Sequence, residues 1–337
     1  MENRKNRKFY KYFIHYLLKM VVNSKDLQII EELNKNSKQP YSNLAKKIKP
    51  SIQAIKNRIN KLEKAGVIKG FTTVINPSKL GLLSYRIFMR TKSIAVDLEN
   101  TLVKQLVEDD KIFWVSSLIG KWDLEIGIYA SNFYEFGEIL KSLLEKHQEH
   151  IRSYQISMVT EMYYLREDEH NISQIYLGGK PSKIQLDKID CKILNLLASN
   201  SRMTNTEISE KIKIVPNAIR YRIKSLEKKG IIKEYRIWVD YIKLGINMKK
   251  VLITTQMLTS KIENKMLQFC HKHIKNMFFT KCIGPWDIEF ELYSEPFAVR
   301  KAQARFRHEF ANEIKDIEIL TIEKEYKMHH FPCETLD

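Results

Sequence analysis

The sequence predicts an α+β protein made of two copies of one unit, and three observations support this prediction. Sliding the 337-residue chain against itself by 164 residues aligns Asp26 with Asp190, Gly66 with Gly230, and Gly120-Lys121-Trp122-Asp123 with Gly284-Pro285-Trp286-Asp287. Between residues 26 and 70, 18 of 45 paired positions are identical. Each copy also has a helical first half and a second half in which strand and helix patterns alternate. An internal duplication explains all three.

The helical halves each predict three helices. The first lies near 26–36 and 190–200, and the second is the short run "SNLAKKI" or "TEISEKI", where Thr204 and Glu207 predict a capping box. The third is basic and ends at Gly66 or Gly230, because glycine commonly ends a helix. A helix, a short helix, a tight turn and a longer basic helix predict a helix-turn-helix, and "VIKGFTTVI" or "IIKEYRIWV" follows as a strand or wing.

The second halves each predict the order βαββαβ. Strands are expected at "YRIFMRTKS" and "KKVLITTQM", around each Gly-x-Trp-Asp turn, and near 151–164 and 315–327. Helices are expected near 95–109, 132–149, 260–273 and 297–313. This order is typical of a ferredoxin-like antiparallel sheet with helices on one face.

The chain is therefore predicted to divide into six parts. These are a basic amphipathic extension (1–23), a winged helix-turn-helix (24–82), a ferredoxin-like domain (83–166), a linker with two glycines and a proline (167–187), a second winged helix-turn-helix (188–246) and a second ferredoxin-like domain (247–330).

Positive charge is concentrated in the helical halves. The chain holds 57 Lys and Arg against 40 Asp and Glu, a net charge of +17. Residues 1–82 carry 18 basic against 5 acidic side chains, whereas residues 83–166 carry 10 against 12. This partition favours a localised surface for a polyanion such as nucleic acid.

Several classes of protein are disfavoured by what the sequence lacks. Cys191, Cys270, Cys282 and Cys333 have no CxxC spacing, so neither a zinc site nor a disulfide framework is indicated, and a reducing cytoplasm is expected. No run of 18 apolar residues exists, so no spanning helix is expected. We expect no metal, no cofactor and no membrane partner.

The motifs resemble the Lrp/AsnC family, the leucine-responsive and asparagine-operon regulators. The likeness rests on D-x-x-I-x-x-x-L, then R-I-x-x-L-E-K-x-G-(V/I)-I-K, then Leu-Gly and Gly-x-Trp-Asp, and it covers roughly 24–165 and 188–328. It implies a DNA-binding transcriptional regulator with a sensing domain for a small amino-acid-like effector, cytoplasmic and associated with the nucleoid. This chain departs from the family in being a tandem, which predicts an internal pseudo-dimer and leaves a further homodimer open.

Base-proximal side chains are predicted on the third helices, opposite the apolar stripe. Asn, Gln and Arg make paired hydrogen bonds to base edges, whereas Lys mostly neutralises phosphate. The predicted DNA-binding residues are Ser51, Gln53, Lys56, Asn57, Arg58, Asn60 and Lys61 in the first copy, and Asn217, Arg220, Tyr221, Arg222 and Lys224 in the second. The alternative is a solvated face, and Arg58 and Arg222 are equally compatible with bridges to nearby carboxylates.

The Gly-x-Trp-Asp turns have two interpretations. The resemblance implies that Gly120, Asp123, Gly284 and Asp287 lie near an effector site. The alternative is a hairpin turn with a packed tryptophan, since turns favour these residue types.

Two other functions compete with sequence-specific regulation. An architectural DNA-binding protein would use the same basic halves without sequence preference. A tetrapyrrole decarboxylase of similar architecture would need histidine in the central hairpin, and residues 112–120 and 277–284 contain none. We therefore expect no enzyme activity.

Overall fold

The computed structural model describes residues 22–92, 96–167, 172–182, 184–273, 277–294, 296–328 and 331. The expected N-terminal extension lies almost entirely outside the described residues.

The first repeat has the predicted element order. Its elements are α1 (Ser24–Lys35), α2 (Tyr41–Ile48), α3 (Ile52–Lys64), β1 (Ile68–Ile75), a 3-10 turn (Pro77–Lys79), β2 (Leu83–Thr91), α4 (Val96–Glu108), β3 (Ile112–Ile119), β4 (Leu124–Ala130), α5 (Phe133–His147) and β5 (Ile151–Glu167).

The second repeat follows after one additional strand, β6 (Ile172–Gly178). Its elements are α6 (Lys188–Ser199), α7 (Asn205–Ile212), α8 (Pro216–Lys228), β7 (Ile232–Val239), a 3-10 turn (Ile242–Leu244), β8 (Asn247–Thr255), α9 (Ser260–His273), β9 (Met277–Ile283), β10 (Ile288–Ser294), α10 (Pro296–Glu309) and β11 (Ile314–Met328). The segment expected to be only a linker therefore contains a strand, which pairs with the end of β5.

The two ferredoxin-like sheets join edge to edge into one closed ring of eight strands. Within each repeat the order is β3-β4-β2-β5 or β9-β10-β8-β11, as the βαββαβ pattern predicts. The ring closes because β11 pairs with β3 of the first repeat and β5 pairs with β9 of the second. The long last strand of each repeat thus belongs to both sheets.

The predicted wing strands do not form separate wings. Instead β1 and β7 pair antiparallel with each other as a two-stranded ribbon between the helix-turn-helix domains. Thr72 lies opposite Arg236, its own counterpart 164 residues on, so the pseudo-twofold axis of the duplication passes through this pair.

The apolar residues pack into cores that cross the repeat boundary. The core of the first helix-turn-helix includes Ile237 and Val239 of the second repeat, and that of the second includes Ile75 and Leu82 of the first. Helices α4 and α5 cover the outer face of one sheet and α9 and α10 that of the other. Inside the ring, apolar side chains of both repeats pack around Phe88.

Candidate nucleic-acid interface and interior cavity

Helix α3, the third helix of the first helix-turn-helix and its expected recognition helix, presents a polar face to solvent. Ser51 caps its N-terminus by accepting a hydrogen bond from the Ala54 backbone N–H at 3.2 Å. Its apolar stripe, Ile55, Ile59 and Leu62, is buried. Because the stripe anchors one side of the helix, the opposite side is held outward.

The polar face of α3 carries most of the side chains that were predicted to contact DNA. The exposed ones are Ser51, Gln53, Lys56, Asn57, Asn60 and Lys61. The Gln53 amide donates to Asn57 Oδ1 at 2.9 Å, so two amides that suit base recognition are already arranged side by side. Their contact with DNA stays a prediction.

The second recognition helix, α8, has the same backbone arrangement and different chemistry. Pro216 occupies its first turn, and no side chain caps it. The predicted residues Asn217, Arg220, Tyr221 and Lys224 are exposed, and Tyr221 is 76% exposed. The contact of these side chains with DNA stays a prediction.

Arg58 and Arg222 both form ion pairs with nearby aspartates, which is one of the two roles expected for them. Arg58 Nη1 lies 2.7 Å from Asp26 Oδ1. Arg222 Nη1 lies 2.6 Å from Asp187 and 2.8 Å from Asp190. Each arginine therefore fixes the recognition helix against the N-terminus of the first helix of its domain. Their contact with DNA stays a prediction.

The turn before each recognition helix has the same unusual backbone in both repeats. Lys49 and Lys213 adopt φ angles of 72° and 65°, and they are the described non-glycine residues with positive φ. Each ends its short helix in the left-handed conformation. The predicted capping box of Thr204 and Glu207 is confirmed at the other end of α7.

The two helix-turn-helix domains are fixed to each other by the ribbon and by a buried hydroxyl pair. Ser37 and Ser201, which are equivalent in the duplication, share a hydrogen bond of 2.6 Å and are both fully buried. Thr73 of β1 donates to the Leu197 carbonyl of α6 at 2.7 Å. Helix α1 packs on β7 and helix α6 on β1, so each domain rests on the other repeat's strand.

The Gly-x-Trp-Asp segments form hairpin turns with a packed tryptophan, which is one of their two expected roles. Asp123 Oδ2 accepts from the Thr91 backbone N–H at 2.8 Å, and Asp287 Oδ2 accepts from that of Thr255 at 2.7 Å. Trp122 and Trp286 are buried inside the strand ring next to Phe88.

Gly120 and Gly284 lie where each turn meets the partner repeat. A Cβ at Gly120 would come within 2.7 Å of the Leu320 side chain, and one at Gly284 within 2.7 Å of the Ile156 carbonyl. The structure also has a cavity between the β1–β7 ribbon and one end of the strand ring, and neither the two glycines nor the two aspartates line it. Their role toward an effector stays a prediction.

A buried cluster of charges lies inside the ring, and the sequence interpretation missed it. Arg86 and its equivalent Lys250 face three carboxylates. Lys250 Nζ lies 2.6 Å from Glu125 and 2.9 Å from Glu291, and Arg86 Nη1 lies 3.0 Å and 3.1 Å from the same oxygens. Glu289 is the fifth member, and all five side chains are nearly inaccessible to solvent.

The carboxyls of this cluster respond differently to burial. Burial raises the pKa of Glu125, and the two cations only partly offset that effect. For Glu291, burial also favours the neutral form, but Lys250 and Arg86 outweigh it and lower the pKa to about 2. With all three carboxyls ionised, the cluster has one more negative than positive charge. Protonation of Glu125, whose pKa is raised, would remove this excess.

A cavity of about 430 Å³ lies between the ribbon and one end of the strand ring. Its walls include Trp114 and Phe278, which are equivalent residues of the two repeats, together with Trp238 of the ribbon. The linker strand closes one side with Leu177 and the backbone of Gly178 and Gly179. Glu325 of β11 also lines the cavity.

A sequence signal for the cluster existed. Arg86 and Lys250 align at the 164-residue offset, as do Glu125 and Glu289, and each has an apolar residue next to it in its strand. A charge repeated at an inward strand position indicates a buried pair. The cavity had no such signal, because its walls come from segments far apart in the chain.

The described residues contain neither a metal-ligating cluster nor a helix suited to span a membrane. No group of three or more potential metal-ligating side chains was found there. No helix in that part of the chain combines the length and hydropathy that crossing a bilayer requires.

Known proteins resemble this chain in the helical half of each repeat. A family model described as winged helix-turn-helix DNA-binding matches residues 22–69 and again residues 186–233. The chain is 47% identical over 64 residues to the HTH-type transcriptional regulator LrpB of Bacillus subtilis (strain 168), which is 19% of this chain and 43% of that protein. It is 38% identical over 72 residues to LrpC of the same organism, 21% of this chain and 50% of that protein. The matched part thus spans about half the length of these relatives.

One solved structure shares the fold over nearly the whole chain. The siroheme decarboxylase NirDL superposes with a TM-score of 0.58, covering 91% of this chain and 93% of that one at 10% identity. At this identity the likeness concerns the fold alone.

Proposed function

We propose that this chain, a tandem duplication of the Lrp-type unit, is a sequence-specific regulator of transcription that binds double-stranded DNA as an internal pseudo-dimer. In this proposal α3 and α8 each enter a major groove, and their side chains read two half-sites that differ in sequence. Because such a regulator would act on DNA, we also propose that the protein is associated with the nucleoid.

One observation carries the proposal, namely that two exposed recognition helices with different polar faces are held in one rigid frame. Gln53 and Asn57 on α3 suit adenine, whereas Arg220 on α8 suits guanine. The β1–β7 ribbon and the Ser37–Ser201 bond restrict movement of one domain relative to the other. A homodimer would present two identical helices, so the tandem supports an asymmetric operator.

Selection of bound duplexes from random DNA tests the proposal. We expect a bipartite motif with two unlike halves separated by about 10–10.5 base pairs or a multiple of that spacing. A palindromic motif would contradict the unlike half-sites, and enrichment of no motif would contradict sequence-specific binding.

The architectural alternative predicts a different ratio between the affinity for the selected site and the affinity for unrelated DNA. Both functions give a steep salt dependence, because both release counterions from phosphate. A sequence-specific regulator is expected to prefer its selected site over unrelated DNA by about a thousandfold or more at constant salt. A ratio near one would favour the architectural function.

We also propose that the chain is not a tetrapyrrole decarboxylase, although one such enzyme shares its fold. A related structure of that enzyme holds an iron-uroporphyrin III analogue. The cavity of this chain has Arg86, Lys180 and Arg236 against Glu161, Glu291 and Glu325, and Arg86 is already bound to carboxylates. Since a polycarboxylate needs an excess of cations, we expect no shift of the Soret band when iron-uroporphyrin is added to the protein.

Control by a small amino-acid-like effector is the least constrained part of the proposal. It rests on the family likeness, and Gly120, Asp123, Gly284 and Asp287 remain the candidate contacts. Because the two aspartates bind threonine backbone, an effector there would meet backbone groups of the turns rather than a free carboxylate.

A further inference from the structure

The two helix-turn-helix domains meet where a loop of each one lies on the ribbon strand of the other repeat. The Ser37 backbone N–H, in the loop after α1, donates to the Tyr235 carbonyl of β7 at 2.8 Å. Its equivalent Ser201, in the loop after α6, donates to the Phe71 carbonyl of β1 at 3.0 Å. Phe71 and Tyr235 are themselves equivalent in the duplication. The backbone of this domain joint is therefore symmetric.

One arginine of the second helix-turn-helix, Arg202, reaches across the domain joint into the first. Its Nη1 donates to the Ser37 carbonyl at 2.5 Å and lies 3.5 Å from the Gln39 carbonyl. The guanidinium carbon lies 4.3 Å from the centre of the Tyr41 ring and 5.5 Å from that of Phe71. A single side chain thus contacts a loop, a helix and a strand of the other domain.

The equivalent residue on the other side of the joint is a lysine with a smaller set of rings around it. Lys38 Nζ lies 4.6 Å from the centre of the Tyr235 ring. The counterpart of Tyr41 is Asn205, so a second ring is missing at this place. An ammonium also lacks the planar fork with which a guanidinium donates hydrogen bonds and stacks at once. The side chains therefore make the domain joint asymmetric.

Two threonines of β1 strengthen the side of the joint that carries Arg202. Thr73 donates to the Leu197 carbonyl at 2.7 Å, and Thr72 donates to the Ala198 carbonyl at 3.3 Å. The equivalent of Thr73 on β7 is Ile237, which has no hydroxyl. The end of α6 is thus bonded to β1 immediately before the loop that holds Arg202, which defines where its guanidinium lies.

Arg202 is connected to the first recognition helix through the helix before it. Tyr41 is the first residue of α2, and its side chain packs against the core that contains Ile55 and Ile59 of α3. Helices α2 and α3 also pack directly on each other. Because a close-packed interior transmits displacements, a change in the contacts of Arg202 alters the direction of α3 relative to the second domain.

We propose that Arg202 fixes the orientation of the two helix-turn-helix domains relative to each other and thereby determines the separation of the two half-sites that the chain binds. The part on half-sites rests on the proposed function. Arg202 is a positioning residue here, because its half-buried side chain donates to a protein carbonyl of the other domain. Lys38, with its one ring contact, contributes less to the orientation.

Spin labels at Gln53 and Asn217 test the orientation without DNA. These residues are equivalent and exposed, and they lie in the first turns of α3 and α8. A keto side chain incorporated at each position carries the label, so the native cysteines stay unmodified. Pulsed electron paramagnetic resonance on the full chain should give a distance distribution at least about twofold broader in Arg202→Ala than in the parent. The matched control Lys38→Ala should broaden it less. An unchanged distribution in Arg202→Ala overturns the proposal.

A second variant keeps the test decisive if the alanine variant does not fold. Thermal unfolding shows whether Arg202→Ala is folded. Where it is not, Arg202→Lys takes its place, because this variant keeps the charge and loses the planar fork. It should also broaden the distribution, and the absence of broadening has the same meaning as before.

Half-site spacing tests the consequence for DNA. The chain is titrated with its selected duplex and with one whose half-sites lie about five base pairs, half a helical turn, farther apart. Preference for the selected spacing should fall at least about tenfold in Arg202→Ala, with the salt dependence of binding unchanged. Equal losses on both duplexes, with a salt slope smaller by about one, would identify a phosphate contact and refute positioning, as would an unchanged preference. Selection of no motif by the unmodified chain would contradict the proposed function instead, and the spin-label distances would still decide the orientation.

Discussion

At the scale of single residues, the two recognition helices share an arginine that binds carboxylates and differ at an exposed position two residues earlier. Arg58 and Arg222 both bind carboxylates in the first helix of their own domain. Two residues before each of them, Lys56 and Arg220 are exposed at equivalent positions of the two helices. The divergence therefore lies in the side chains that could distinguish one half-site from another.

Replacing Arg220 with alanine should weaken discrimination between bases by about 1–3 kcal/mol if its guanidinium binds a guanine edge. Lys61→Ala is the matched control, since a lysine that neutralises phosphate should weaken binding to all sequences alike. Competition binding with the selected site and its single-base variants measures both effects. Uniform loss in Arg220→Ala would refute base reading by this residue.

Glu325 makes stability depend on pH in the direction opposite to that of an ordinary surface carboxylate. Its pKa is about 7 in the folded chain, above the usual 4.5, so the folded state binds the proton more tightly than the unfolded state. Its contribution is fully present below about pH 4.5 and is lost as the pH rises through 7, at a rate of about 1.4 kcal/mol per pH unit at most.

The variant Glu325→Gln should flatten this decline between about pH 5 and pH 8 in denaturant unfolding. Glu161→Gln is the control with the opposite sign. Burial raises the pKa of Glu161, but Tyr163 and Lys281 outweigh it and lower the pKa, so its stabilisation is present above the usual value and lost as the pH falls. An unchanged pH slope in Glu325→Gln would show that its carboxyl is solvated.

At the scale of elements, the strand after each helix-turn-helix decides how the two domains are arranged. The sequence predicts β1 and β7 as strands or wings, and their alternating, half-apolar pattern fits either. The structure pairs them with each other because α1 and α6 then cover the apolar face of the ribbon. The hydroxyls of Ser37 and Ser201 satisfy each other at the same junction.

The serine pair should show strong coupling in a double-mutant cycle. Ser37→Ala or Ser201→Ala alone leaves one buried hydroxyl without its partner and should cost about 1–3 kcal/mol of unfolding free energy. The double variant should cost less than the sum, because no unsatisfied group remains. Denaturant unfolding of the three variants gives the coupling; additive costs would mean that the two hydroxyls do not depend on each other.

At the scale of the whole molecule, the repeats are joined so closely that neither is complete alone. Strand β11 needs β3, β9 needs β5, and α6 packs on β1. The linker strand β6 extends the sheet by pairing with the end of β5. The tandem therefore forms one continuous sheet, with cores shared between the repeats.

The isolated second repeat, residues 184–337, should not exist as a folded monomer. Without the first repeat it exposes the ring edges of β9 and β11 and the apolar face of α6, which favours self-association. Sedimentation velocity over a range of concentrations should show dimers or larger species. A monodisperse folded monomer would contradict the cross-repeat closure.

The sequence by itself determined the duplication, the order of elements, the two recognition helices and the Thr204 capping box. These features depend on residues within about four positions of each other or on a comparison of the chain with itself. Only the tertiary structure decided that β1 pairs with β7, that the two sheets close into one ring, that Arg58 and Arg222 bind carboxylates, and that Glu325 lines a cavity. Each of these depends on which distant segments meet, and burial there sets the protonation and partners of side chains whose spacing in the sequence carries no such information.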